Sequence, residues 1–193
     1  MKHVVLIGDS IRMAYEEGVR KRLADIAATW GPAENGGNSA NVLAHLDDWV
    51  IERAPDVLHL NCGLHDLKRE RDAGGPAIDL AAYRENLTRI ISRIRAETDL
   101  QVVWAHTTPV NEAWHHARKS FDRLEEDVRL YNSTAAEVMG PYDVPINDLY
   151  AHINELGRDS LLNPDGVHFT DEGSDRLAER VAGFIRPCLE GPV

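Results

Sequence analysis

Short apolar runs alternate with longer amphipathic segments along the chain. The apolar runs predict strands at residues 3–7, 56–61, 101–106 and 142–147, with a weaker candidate at 29–33. Helical periodicity predicts helices at residues 13–28, 40–53, 80–97, 121–139, 149–156 and 171–185. Such alternation is typical of parallel sheets with crossover helices. It predicts an α/β fold with three α/β/α layers and a flavodoxin-like, doubly wound sheet of about five parallel strands. We expect one domain over residues 1–193.

A serine stands where the first predicted strand should turn into a helix. The run Gly8-Asp9-Ser10 directly follows the first apolar run, and Asp165 and His168 lie near the other end of the chain. A serine hydroxyl becomes a good nucleophile when an imidazole accepts its proton and a carboxylate orients that imidazole. The sequence therefore predicts a catalytic triad of Ser10, His168 and Asp165.

Small and polar residues also follow the other predicted strands, in loops that should converge at one edge of a parallel sheet. These loops occupy residues 34–39, 61–66 and 106–109. If Ser10 begins a helix, its backbone N–H lies where the helix dipole favours a developing oxyanion. Gly37 has no side chain that would block a second N–H, and His65 could supply a third donor. We therefore expect an oxyanion hole formed by Ser10, Gly37 and His65.

These sequence blocks resemble those of the GDSL-type, or SGNH, hydrolase superfamily, and the resemblance extends over nearly the whole chain. In that family the serine of the Gly-Asp-Ser block is the nucleophile, a role that the resemblance assigns to Ser10. Its Asp-x-x-His block corresponds to Asp165 and His168. A glycine of the second block supplies an oxyanion N–H, which matches Gly37, with Gly36 as an alternative alignment.

The third block departs from the pattern of that family. It normally reads Gly-x-Asn-Asp, and its asparagine completes the oxyanion hole, whereas this chain reads Gly63-Leu64-His65-Asp66. The departure leaves the serine chemistry intact and two roles open for His65, an oxyanion donor or a structural donor to a backbone carbonyl. Asn61 is an alternative donor. Trp114, in the polar insertion 111–120, either forms a wall of the substrate pocket or anchors its own loop.

Composition and residue spacing argue against several other classes of protein. The formal net charge is −11, from 32 acidic and 21 basic residues, and without a basic cluster we expect no nucleic-acid partner. Cys62 and Cys188 have no redox or metal spacing. We expect no cofactor and no metal, because no familiar ligand spacing relates the histidines at positions 65, 106, 115, 116 and 168. No apolar run is long enough for a membrane span, so we expect a soluble cytoplasmic protein without a membrane partner.

Together these patterns predict a serine esterase that hydrolyses small carboxylic esters through an acyl-enzyme. The polar loops and the family resemblance favour short acyl groups, with O-acetyl groups on carbohydrate as the first candidate. The alternatives are a lysophospholipase or thioesterase of the same superfamily, and a catalytically inactive binding module that has kept the fold.

Overall fold

A five-stranded parallel sheet forms the centre of the computed structural model, which describes residues 1–72 and 74–190. The strands are β1 (Lys2–Ile7), β2 (Ala27–Trp30), β3 (Val57–Leu60), β4 (Arg69–Glu70), β5 (Gln101–Ala105), β6 (Phe121–Asp122) and β7 (Ile146–Asn147). The order across the main sheet is β2-β1-β3-β5-β7, and its paired strands are parallel. The short strands β4 and β6 pair separately as an antiparallel ribbon. The predicted α/β fold is confirmed.

The apolar runs of the sequence become strands because helices cover both faces of the sheet. In β1, the consecutive residues Val4, Val5, Leu6 and Ile7 are all buried. Successive side chains of a strand point to opposite faces, so burial of every position means that neither face is exposed to solvent. Burial on both faces is the arrangement that parallel sheets require.

The helices fall into two packed groups around this sheet. They are α1 (Ser10–Leu23), α2 (Ser39–Ala44), α3 (Leu80–Glu97), α4 (Glu112–Arg118), α5 (Glu125–Met139), α6 (Leu149–Glu155), α7 (Arg158–Leu161) and α8 (Asp171–Glu190). A π-helical turn (Asp47–Ile51) and a 3₁₀ turn (Gly140–Tyr142) complete the set. Helix α1 packs against α8, whereas α3 packs against α2 and α5. Within the described residues, none of the helices is long and apolar enough to cross a membrane. The expected cytoplasmic location stays a prediction.

The first predicted helix, at 13–28, is displaced in the structure. Helix α1 already begins at Ser10, because the side chain of Asp9 accepts a hydrogen bond from the backbone N–H of Ile11 and caps the helix. It ends at Leu23, and Ala27 and Ala28 belong to β2, which begins before the predicted position 29. Alanine favours helices intrinsically, but pairing of these residues with β1 decides their conformation.

Two further predicted helices are shorter than expected. The segment 40–53 contains α2 and then the separate π-helical turn. The segment 121–139 begins as strand β6, in which Phe121 pairs with Glu70, and α5 starts only at Glu125. Conversely, the insertion 111–120 contains helix α4, which was not predicted. Its first turn is capped by Asn111, whose side chain accepts a hydrogen bond from the N–H of Trp114.

Candidate active site

Ser10, His168 and Asp165 form one continuous hydrogen-bonded chain. Ser10 Oγ lies 2.9 Å from His168 Nε2, and His168 Nδ1 lies 2.6 Å from Asp165 Oδ2. An ionised carboxylate only accepts hydrogen bonds, so Nδ1 carries the proton and donates to Asp165. Nε2 is therefore the acceptor for the serine hydroxyl. This is the geometry that allows the imidazole to take the serine proton.

The loop before α8 holds the acid and the base in this arrangement. Asp165 Oδ1 accepts hydrogen bonds from the backbone N–H groups of Val167 at 3.1 Å and His168 at 3.0 Å. Gly166, between them, has a φ of 75° and packs tightly, since a Cβ there would lie 2.4 Å from the carbonyl oxygen of Asn111. A side chain at position 166 would therefore displace the loop that orients the imidazole.

The Asp165 carboxylate remains ionised over the usual range of enzyme assays. Burial by itself would raise its pKa, but hydrogen bonds from the ring and backbone of His168 and from the backbone of Val167 lower the pKa to about 2. The ammonium of Lys119 lies 3.6 Å from Asp165 Oδ2 and adds a second favourable charge. Asp165 can thus stabilise a protonated His168 throughout that range.

The three residues open into a cavity of about 290 Å³. His65 also lines it. Among the lining residues that the sequence did not assign to the site are Asn35, Lys119, Phe121 and Arg123. Residues 121 and 123 fall in a segment that the periodicity interprets as helix, so the sequence gives no signal for their position here.

His65 has the environment of a free donor. Among the described residues, neither of its ring nitrogens has a hydrogen-bond partner, and the side chain is only half-buried. The alternative structural role of His65, a hydrogen bond to a backbone carbonyl, is therefore not observed. Burial lowers the pKa of His65, and nearby Arg123, Lys68 and His168 lower it further, against the opposing charge of Asp9. A neutral imidazole at neutral pH retains one N–H for an oxyanion.

The neighbouring Asn61, the other candidate donor, is already occupied. Its side-chain amide donates to the carbonyl oxygen of Ala105 at 2.9 Å and to Thr107 Oγ1 at 3.4 Å. The loop passes so close to Thr107 that a Cβ at Gly63 would lie 2.2 Å from Thr107 Oγ1. Asn61 and Gly63 thus fix the loop that carries His65, and the asparagine does not replace the missing amide.

The predicted glycine donors lie beside the cavity and already have acceptors. The N–H of Gly37 donates to Asn35 Oδ1 at 2.9 Å, and the N–H of Gly36 donates to the carbonyl oxygen of Gly8 at 3.0 Å. Asn35 lines the cavity, whereas Gly37 is not among its lining residues. An oxyanion would have to compete with the Asn35 side chain for the Gly37 N–H.

Trp114 is not brought to the cavity. It lies in α4 and is partly buried against the hydrophobic core, while its neighbour His115 lines the site. His115 Nδ1 lies 3.1 Å from the carbonyl oxygen of Asp165, so the histidine and not the tryptophan faces the loop that carries Asp165. Phe121 supplies the aromatic wall that was expected from Trp114.

The histidines do not form a metal cluster. His106 contacts Asp148, His116 is exposed and contacts Asp122, and His115 Nδ1 lies 3.1 Å from the carbonyl oxygen of Asp165. In the part of the chain that the structure describes, no three His, Cys, Asp or Glu side chains come close enough to hold a metal ion.

A buried carboxylate links the second and third loops beneath the site. Asp66 Oδ1 and Oδ2 lie 2.9 and 3.1 Å from the backbone nitrogen of Ser39, and the Ser39 hydroxyl also donates to Asp66. Asn86 on α3 donates in turn to the Ser39 oxygen. Burial raises the pKa of Asp66 to about 7, although the Ser39 hydrogen bonds oppose this increase.

We expect Asp66→Asn to flatten the pH dependence of the unfolding free energy between about pH 4 and pH 7. The pKa of Asp66 in the folded protein is about 7, above the value of an unfolded aspartate, so the folded state keeps a proton that the unfolded state loses. The contribution of Asp66 to the free energy of unfolding therefore decreases as the pH rises through this window and then stays constant. A tenfold difference in proton affinity between the two states corresponds to about 1.4 kcal/mol. The pKa of Asp66 rises from 3.8 to about 7, so the whole effect on the free energy of unfolding is of the order of 4 kcal/mol.

Urea unfolding across this pH range measures the effect through its pH dependence, because asparagine keeps one oxygen for the Ser39 N–H and hydroxyl but loses the second acceptor and the titration. Asp143→Asn is the matched control, since Asp143 is exposed and asparagine tolerates its positive φ. Parallel stability curves for Asp66→Asn and the wild type would rule out the raised pKa.

Comparison with known proteins places this chain in a family. The chain matches the GDSL-like Lipase/Acylhydrolase family over residues 6–176, which is most of its length, and it belongs to that family. No match was found among curated proteins.

Solved structures share the fold over nearly the whole chain. The lipase/acylhydrolase from Enterococcus faecalis has a TM-score of 0.81 at 24% identity, covering 96% of each chain. An acetyl xylan esterase has a TM-score of 0.77 at 18% identity, covering 95% of this chain and 99% of that one. A mutant of an acetyl-xylooligosaccharide esterase from Geobacillus has a TM-score of 0.76 at 18% identity, covering 97% and 94%. The chain is therefore an α/β member of an acylhydrolase family.

Proposed function

We propose that this protein is a serine esterase that hydrolyses short-acyl carboxylic esters, with O-acetylated carbohydrate as the first substrate class. The proposal is supported above all by the hydrogen-bonded chain from Ser10 through His168 to Asp165, which opens into the cavity. Membership of an acylhydrolase family provides independent support.

The reaction follows from the protonation states of the three residues. Ser10 Oγ attacks the ester carbonyl carbon while His168 Nε2 accepts the hydroxyl proton, and Asp165 stabilises the imidazolium that forms. The imidazolium then gives this proton to the leaving alkoxide, so that an alcohol departs and an acyl-serine remains. A water molecule attacks the acyl-serine by the same route in reverse, which releases the carboxylic acid and restores Ser10.

Two groups are suited to stabilise the tetrahedral oxyanion. Ser10 is the first residue of α1, so its N–H belongs to the helix turn whose amides have no partner within the helix. The neutral ring of His65 provides a second donor from the opposite loop. Gly37 would act as a third donor if the substrate displaced Asn35 from its N–H.

The small volume of the cavity supports a short acyl group. Its apolar lining comes from Leu64, Phe121 and Val167, and charged or polar residues supply the rest. A volume of about 290 Å³ is at the lower end of the range for small-molecule sites. Two of the structural neighbours are an acetyl xylan esterase and an acetyl-xylooligosaccharide esterase, which agrees with removal of acetyl groups from a sugar.

We expect kcat/KM for p-nitrophenyl esters to be highest for acetate or propionate and to fall by at least about tenfold by octanoate, because a cavity of about 290 Å³ leaves little room for a longer chain. The second step of the experiment measures acetate release from acetylated xylose oligomers. A preference for octanoate, or for a long-chain acyl thioester, would instead support the lysophospholipase or thioesterase alternative.

A further inference from the structure

An arginine without a counterion lines the cavity that contains Ser10. Arg123 is 6% exposed and, among the described residues, has no carboxylate oxygen within 4.0 Å. Arginines that are this deeply buried are nearly always paired, because removing the charge from water costs several kcal/mol. Its position in the cavity therefore needs an explanation beyond packing.

The guanidinium is held firmly at one end. Arg123 Nε–H donates to the carbonyl oxygen of Leu64 at 2.6 Å, and the guanidinium carbon lies 5.0 Å from the centre of the Phe121 ring. The pairing of β6 with β4 fixes Phe121 in turn. The head group thus has one defined orientation before any ligand binds, which lowers the entropy lost on binding.

The other end of the guanidinium is unoccupied. In residues 1–72 and 74–190, neither terminal nitrogen of Arg123 has a hydrogen-bond partner. Neither of the two nitrogens is completely buried. Both nitrogens therefore keep access to the cavity that the residue lines. Burial lowers the pKa of Arg123, whereas the charges of Asp9 and Asp165 favour its charged form from a distance.

The other charges near the cavity are already engaged. Lys119 lies beside Asp165, and Lys68 contacts Glu70 while lying 4.1 Å from the centre of the Phe121 ring. Asp9 caps α1 through its hydrogen bond from Ile11. Among the described residues, Arg123 is the positive group lining this cavity that has no carboxylate partner, whereas Lys119 has Asp165.

We propose that Arg123 binds a carboxylate of the substrate, so that the protein acts on esters whose alcohol or acyl part carries a negatively charged carboxylate. The inference rests on the proposed esterase function. Two terminal N–H groups of one guanidinium match the two oxygens of a carboxylate, and such charge-assisted pairs are stronger than neutral hydrogen bonds. Because the whole chain carries a formal charge of −11, a local positive group is needed to bind an anion beside Ser10.

Two matched substrate pairs test the proposal and locate the carboxylate. For the alcohol part, the pair is 4-acetoxybenzoate and 4-acetoxybenzamide; for the acyl part, it is phenyl hemisuccinate and phenyl succinamate. Each pair differs by one charge at nearly constant shape. We expect the wild type to favour the charged member of at least one pair by about 10- to 100-fold in kcat/KM, mainly through a lower KM.

Arg123→Gln should abolish this preference, because it should lower kcat/KM for the charged ester by a larger factor than kcat/KM for the neutral ester. Arg84→Gln is the matched control, since it removes the same charge from an exposed position on α3. It should retain the preference of the wild type. An equal fall in kcat for both members of a pair would overturn the proposal, because it would mean that Arg123 acts on the loop of His65 through Leu64.

A measurement on the wild type alone avoids any effect of the substitution on folding. Benzoate should inhibit the hydrolysis of 4-acetoxybenzamide at a concentration at least about tenfold below that of benzamide, and added salt should weaken the inhibition. Hydrolysis of the neutral esters without preference or benzoate inhibition would overturn the carboxylate assignment while leaving the esterase function intact. Failure to hydrolyse any of the esters, with no labelling of Ser10 by a fluorophosphonate, would instead show that the esterase function itself is wrong.

Discussion

We expect Ser10→Ala to lower ester hydrolysis by at least about four orders of magnitude and to leave the fold unchanged. The hydroxyl of Ser10 is the group whose proton His168 is placed to accept, at 2.9 Å, and alanine offers no replacement nucleophile. The effect on stability is small because Asp9, and not Ser10, caps α1. Alanine in the first turn is a good helix former, so we expect a change of less than about 1 kcal/mol.

A fluorophosphonate probe and thermal unfolding, applied to the same preparation, separate chemistry from folding. The wild type should be labelled at Ser10, and Ser10→Ala should unfold at the same temperature without being labelled. Ser133→Ala is the control, since Ser133 is exposed on α5, and it should be labelled normally. Labelling or more than about a tenth of the wild-type activity in Ser10→Ala would exclude the serine mechanism, and an unlabelled wild type would favour the inactive binding module.

The central strands could be predicted because their burial is encoded locally. Strands β1, β3 and β5 are runs in which nearly every residue is apolar and buried. The two-residue strands β4 and β6 escape such reasoning, since only their mutual pairing makes them strands. Periodicity also failed at Ala27 and Ala28, where a helix-favouring composition is overridden by pairing with β1.

The candidate site also has one part that the sequence predicts and another part that it does not. Asp165 and His168 are neighbours in sequence, and Ser10 follows the first strand, so topology alone predicts that they meet at one edge of the sheet. The structure brings them into hydrogen-bonding distance. Phe121 and Arg123 could not be predicted, because a helical pattern conceals the short strand β6, which contains Phe121 and ends just before Arg123. Nor does the sequence show which N–H groups already have an acceptor, as that of Gly37 does in the side chain of Asn35.

The second large effect is expected at His65. His65→Ala should lower kcat by roughly 10²- to 10³-fold, about 2.7 to 4 kcal/mol, with little change in KM, because an oxyanion donor acts mainly in the transition state. The free ring nitrogens of His65 and its place in the cavity with Ser10 support this role. Steady-state kinetics with p-nitrophenyl acetate, together with the melting temperature of each variant, provide the measurement.

His65→Asn distinguishes the oxyanion role from a structural one. It introduces the amide side chain that is usual at this position in the SGNH superfamily, so it should recover much of the activity that His65→Ala loses. If His65 only supports its loop, both variants should have a lower melting temperature and a nearly unchanged kcat, because the side chain at position 65 would not contact the oxyanion. His116→Ala is the control for loss of an imidazole: its side chain is 66% exposed and lies outside the cavity, so its kcat should match that of the wild type. If kcat falls equally in His65→Ala and His65→Asn at constant stability, the donor must be specific to the imidazole, and the family amide is not its equivalent.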